Sequence, residues 1–158
     1  MSTPLATYLN DHLAGANLAV DIAERASREH AGTPLGAFLS QLAGDIREDR
    51  KALELVMAAA GADREEPKLK LAWLQSQLSR LKLDDRLLRR SNPSTLLQLE
   101  TLEIGITGKE LLWRALSALN DPPQPAGTDY AELIMRARTQ RDAVETQREA
   151  IASTELGR

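Results

Sequence analysis

Glu100, Glu103 and Glu110 fall within LLQLETLEIGITGKELLWRAL, residues 96–116, at a spacing that puts all three carboxylates on one side of a helix. Carboxylates can hold hard cations, and neutral imidazoles can complete the ligand set. The groups able to join Glu103 in such a site are His12 on the first helical run and Asp45 and Asp49 on the second. His12 and Asp49 also have the types required of an acid–base pair. Lys109 argues against a metal, because its ammonium would repel the cation, whereas the same ammonium suits a buried aspartate. On helical wheels His12, Asp49 and Lys109 all fall on otherwise apolar faces, and Asp45 lies one turn before Asp49 near the edge of its face. An unpaired charge there would be too costly to keep. The expectation is therefore an Asp49–Lys109 pair, with His12 as the second candidate partner.

The glutamates themselves share a sector of roughly 80° with Thr107 and Arg114. That stripe reads as the solvent side of its helix, with Glu110 and Arg114 an ordinary i,i+4 surface pair. Gly105 and Gly108 fall on the opposite side with Leu97, Thr101, Leu112 and Leu119. Small residues there suggest that another helix approaches closely, which would offset the roughly 1 kcal/mol that each glycine costs in a helix. Leucine at 105 is then expected to overpack.

Positioning these groups requires helices almost everywhere. Ala, Leu, Glu, Arg and Gln abound, and aromatic residues make up only 3% of the chain, leaving no alternating β-branched runs. Breaks at AGTP, GADREEP, LLRRSNP and NDPPQPAGT delimit long helices at about 4–30, 34–60, 94–119 and 129–154, with a shorter one at about 67–83. Thr33-Pro34 and Asn92-Pro93 have the N-cap and N1 types, and Asp129 precedes the last helix. The short 31–33 link makes the first two helices an antiparallel hairpin, and the proline-rich link does the same for the last two. The expected fold is an all-α four-helix bundle, a single domain over 1–158, with a short helix in the crossover. Leu71, Leu74, Leu78 and Leu81 give that helix an apolar stripe, and Trp73 lies on another side. Asn10 and Asn17 are expected outside. The last helix shows a narrow seam of Tyr130, Leu133, Ala137, Val144 and Ile151.

Two hairpins joined by a crossover, with FLSQLAGDIREDRKALELVMAAAG in the second helix, resemble the ferritin-like superfamily. DRLLRR, SNPSTLLQLE and LEIGITGKELLW look closer to uncharacterised bacterial bundle proteins of that kind. The resemblance implies a four-helix core that in the enzymes carries one glutamate from each of two helices and an E-x-x-H pair from each of the other two. Here Leu9 stands three before His12 and Ser27 three before His30, so neither histidine completes the motif. The di-iron chemistry is therefore not expected, and no cofactor is assigned.

Other classes recede on composition. The chain has no Cys, which removes disulfides, thiolate metal sites and Cys nucleophiles and fits a cytoplasmic protein. A net charge of -3 supplies no field for nucleic acid, and Arg86, Arg89 and Arg90 sit beside Asp84 and Asp85 as a local ion-pair cluster. No secretory signal or membrane span is apparent. The expected role is non-catalytic: a metal-free binding, interaction or structural module, with a homo-oligomer or protein partner and no membrane or nucleic-acid partner. The alternative is a divergent metal site built from His12, Asp45, Asp49 and Glu103.

Overall fold

The computed structural model describes residues 3–65 and 94–157. Among these residues it is all-helical: α1 (Pro4–Glu29), α2 (Pro34–Ala59), α3 (Thr95–Ser117) and α4 (Tyr130–Leu156). None of the four is long and apolar enough to cross a membrane. The expected helix at 67–83, with its leucine stripe and Trp73, and the Arg86, Arg89 and Arg90 cluster lie outside the described residues.

The helix starts follow from local chemistry. Thr3 and Thr33 each accept a backbone N–H three residues on, from Ala6 and Gly36, with Pro4 and Pro34 in the first turn. Asp129 accepts from Ala131 and Glu132. For α3 the cap is Ser94, which accepts from Leu97; the expected Asn92-Pro93 start lies outside the described residues.

The helix ends fix the topology. His30, at the end of α1, bonds Thr95 at the start of α3, and Gln98 donates to Glu29 at 2.8 Å. At the other end, Leu9 and Leu13 of α1 pack with Leu112, Trp113 and Leu116 of α3. α1 and α3 are therefore antiparallel. Because α1 and α2 form a hairpin, α2 and α3 run parallel, so the end of α2 and the start of α3 lie at opposite ends of the bundle.

Two apolar clusters fill the core. One contains Val20, Leu39, Leu42, Ile46, Leu99, Leu102, Ile106 and Val144; the other contains Leu9, Leu53, Val56, Met57, Leu112, Trp113, Leu116, Tyr130 and Leu133. Asp49 lies between Ile46 and Leu53, and Lys109 between Ile106 and Leu112. The boundary of the clusters is thus a polar level.

Several facing expectations need correction. Asn10 is buried, at 3% exposure, because its amide donates to the Ala6 and Asp63 carbonyls and its oxygen accepts from the Glu65 N–H. A fully bonded amide can occupy the core edge at little cost. Leu97 and Leu119, expected on the buried side of α3, are exposed. The glycines reverse too. Among the described residues, a Cβ at Gly105 would meet only Ala19 Cβ at 4.0 Å, and one at Gly108 would meet nothing within 4 Å. The close approach is elsewhere: at Gly36 a Cβ would lie 2.1 Å from the His30 carbonyl oxygen, where the chain turns from α1 into α2. Gly36→Ala is therefore expected to destabilise by about 1–3 kcal/mol. Gly105→Ala and Gly108→Ala should each stabilise by about 0.5–1 kcal/mol through helix propensity alone. Chemical denaturation of the three variants checks both signs, and a loss at 105 or 108 would restore the overpacking account.

Candidate functional site

The polar level is built by three helices. Asp49 of α2 is 2% exposed. Lys109 of α3 donates to its Oδ2 at 2.5 Å, and Gln140 of α4 donates to the same oxygen at 2.9 Å. The Gln140 amide oxygen in turn accepts from Lys109. Arg136 Nη2 stands 3.0 Å from Asp49 Oδ1, although its geometry does not make a formed hydrogen bond, and that oxygen has no other partner among the described residues. Burial pulls the Lys109 pKa down, and the Asp49 charge only partly restores it.

Gln140 was not anticipated, yet a signal was present. In the seam Tyr130, Leu133, Ala137, Val144, Ile151, the position one turn after Ala137 and one before Val144 carries glutamine. A polar residue in an apolar heptad seam asks for an interior partner.

The remaining candidates do not converge on this level as ligands. His12 is half-buried and meets the Tyr8 ring edge-to-face, with centroids 4.7 Å apart. Burial lowers its pKa, against the opposing pull of Asp11, and so favours the neutral ring. Asp45 accepts from Gln41 at 2.9 Å. Glu103 faces Arg148 at 3.5 Å, and burial followed by its bond with Glu145 raises its pKa. Among the described residues no three His, Cys, Asp or Glu side chains are grouped to hold a metal ion.

The glutamate stripe on α3 faces α4 and not open water. Glu110 is 5% exposed, taking Arg138 Nε on one oxygen and Arg141 Nη1 on the other, both at 2.9 Å; Arg114 stands at 3.6 Å. Glu100 and Glu103 share Arg148 with Glu145. The expected solvent stripe is an interhelix ion-pair seam, because α4 presents arginines where α3 presents glutamates. The charge signs of the two helices, compared with each other, would have shown it.

On the other side of α3, the space left by the glycines is a cavity of about 240 Å³ between α1, α2 and α3. Ala19, Ile22, Ile46 and Ile106 contribute apolar walls, Gly15, Gly105 and Gly108 widen it, and His12, Asp49, Arg50, Lys109 and Trp113 reach it from the polar side. The chain matches no family model, no curated protein and no solved structure.

Two outcomes follow from the ion pairs. Lys109→Met should cost about 1.5–3 kcal/mol, the worth of a charged hydrogen bond. This is less than the 3–5 typical of a stranded buried charge, because Gln140 and Arg136 remain beside Asp49. Adding Asp49→Leu should recover much of the loss, and a double-mutant cycle with additive effects would exclude the coupling. For Glu110, the Arg138 bond lowers the pKa below the ordinary 4.5. Its contribution is complete above that value and is lost as the pH falls through the lowered one. Glu103, raised, acts in the opposite sense. Glu110→Gln should therefore be less stable near pH 7 and lose less on acidification below about pH 4.5, read by urea unfolding across pH.

Proposed function

We propose that this chain is a non-catalytic bundle with ferritin-like connection, acting as a binding module without a di-metal centre. The observation that carries the reading is the pairing of the interior carboxylate with cationic side chains. Asp49, the residue best placed to offer a cation an oxygen, is held by Lys109 and Gln140 with Arg136 beside it. An ammonium bonded to the ligand atom must leave before a metal can enter, and each such bond opposes the exchange. The parallel run of α2 and α3 supports the ferritin-like connection, since one long crossover is its mark among four-helix bundles.

A cavity beside a neutralised polar level supports binding as the role. Leu97, Ile104 and Leu111 recur every seven residues along an exposed edge of α3, and this edge is where a second copy or a partner helix would pack. Protein purified without chelator is expected to hold less than stoichiometric iron, manganese or zinc by elemental analysis. One or two bound metals per chain would overturn the reading. Its mass in solution, compared with that of Ile104→Glu, reads whether the α3 edge joins copies.

A further inference from the structure

The cavity between α1, α2 and α3 reaches from the surface of the bundle to its core. On its outer side stand exposed Ile104 and Gly105 of α3 and half-buried Ala19 and Ile22 of α1. Its floor is buried Ile46 and Leu53 of α2 with Ile106 and Trp113 of α3. Gly15, Gly105 and Gly108 border the same space, and among the described residues a Cβ on any of them would meet nothing closer than 4.0 Å. Native interiors hold few voids larger than a water molecule. At about 240 Å³ this one is far larger, and most of its wall is hydrocarbon.

The charged groups on that wall balance one another. Asp11 and Asp49 stand against Arg50 and Lys109, two carboxylates against two cations. Lys109 donates to Asp49 Oδ2, Arg136 Nη2 lies 3.0 Å from Asp49 Oδ1, and Arg50 donates to the Asn17 amide oxygen at 3.0 Å. Burial lowers the His12 pKa against the pull of Asp11, so the ring adds no charge near neutral pH. An ion of either sign would give up its hydration to a wall whose formal charges cancel, and nothing there would offset that cost. A neutral apolar molecule loses no such hydration, and apolar cavities exclude water and take hydrocarbon.

Resting on the binding-module reading, we propose that the cavity binds a small, neutral, hydrocarbon-like molecule. By proportion with the ~150 Å³ cavity that takes benzene, the volume suits a ligand of roughly ten non-hydrogen atoms. Butylbenzene is about that size. The affinity comes from burial against the isoleucines and Trp113, and discrimination against ions comes from the balanced charges around them.

The test follows the Trp113 indole N–H resonance, assigned in a Trp73→Phe background, during titration with butylbenzene, phenylbutyrate and phenylbutylamine. Butylbenzene should shift it saturably and raise the Tm as its concentration rises. The two ions carry the same ring on a similar chain and should each bind at least about tenfold more weakly. Gly15→Leu and Gly108→Leu fill the space from α1 and α3, and each should weaken butylbenzene binding about tenfold or more. Gly44→Leu, outside the lining, should leave it unchanged, and circular dichroism confirms that each variant is folded. If neither filling variant folds, the comparison of the three probes on the parent chain decides. An ion binding as tightly as butylbenzene would overturn the neutral-ligand assignment, and undiminished binding to a folded filling variant would overturn the location; both leave the binding module standing. No response to butylbenzene up to its solubility would overturn the proposed ligand site, and stoichiometric metal in the same preparation would overturn the underlying reading as well.

Discussion

The Asp49–Lys109 pair is the constraint on which the arrangement of helices depends. A carboxylate this deeply buried is tolerable only while its partners are in place. Those partners come from α3 and α4, so three of the four helices meet at one level along the bundle axis. Sliding any of them by a turn would separate the charges and bring apolar side chains opposite Asp49. The apolar clusters on either side could accept several registers with similar burial, being built largely of Leu, Ile, Val and Ala. The polar level distinguishes among them, much as a single buried polar residue fixes the register of a coiled coil.

The same level separates the two other uses of α3. Toward α4, Glu100, Glu103 and Glu110 meet Arg148, Arg138 and Arg141 in a seam whose arginines stay partly in water. Screening keeps each such contact modest, yet Glu110, shielded by its partners, depends on them more than an exposed acid would. Toward α1, the helix offers glycines and isoleucine and borders the cavity. Lys109 sits between these faces, and its bond to Gln140 links the central pair to α4.

The four described helices were legible in the sequence because punctuation and periodicity are local. Thr33-Pro34, Asp129 and the proline-rich link at 120–128 act over a few residues, and they place the helices to within a residue or two of their observed bounds. The Asp49–Lys109 contact was within reach because each residue interrupts an apolar face. What escaped was relational. Glu110 looks solvent-facing on its own wheel, and only the arginines of α4 turn that direction into an interface. Asn10 looks external until the backbone after α2 arrives to bond it. Gly36 gives no hint that the His30 carbonyl lies against it, because that contact is made by the turn rather than by either helix.

The glycines also separate two meanings of a small residue in a helix. Gly36 is repaid by a contact that no side chain would allow, whereas Gly15 and Gly108 meet nothing within 4 Å and Gly105 only an ordinary contact. Gly44 meets nothing either, so an unrepaid glycine alone indicates little. The distinction is that Gly15, Gly105 and Gly108, on two antiparallel helices, border one volume. Each glycine costs about 1 kcal/mol of helix stability against alanine. Replacement by larger apolar residues would close the space and add burial. Local choices that forgo stability without a packing return concentrate where a structure serves something other than its own folding. On the proposed binding reading, the side of α3 that borders the cavity is such a place, beside the ion pair that fixes the helices around it.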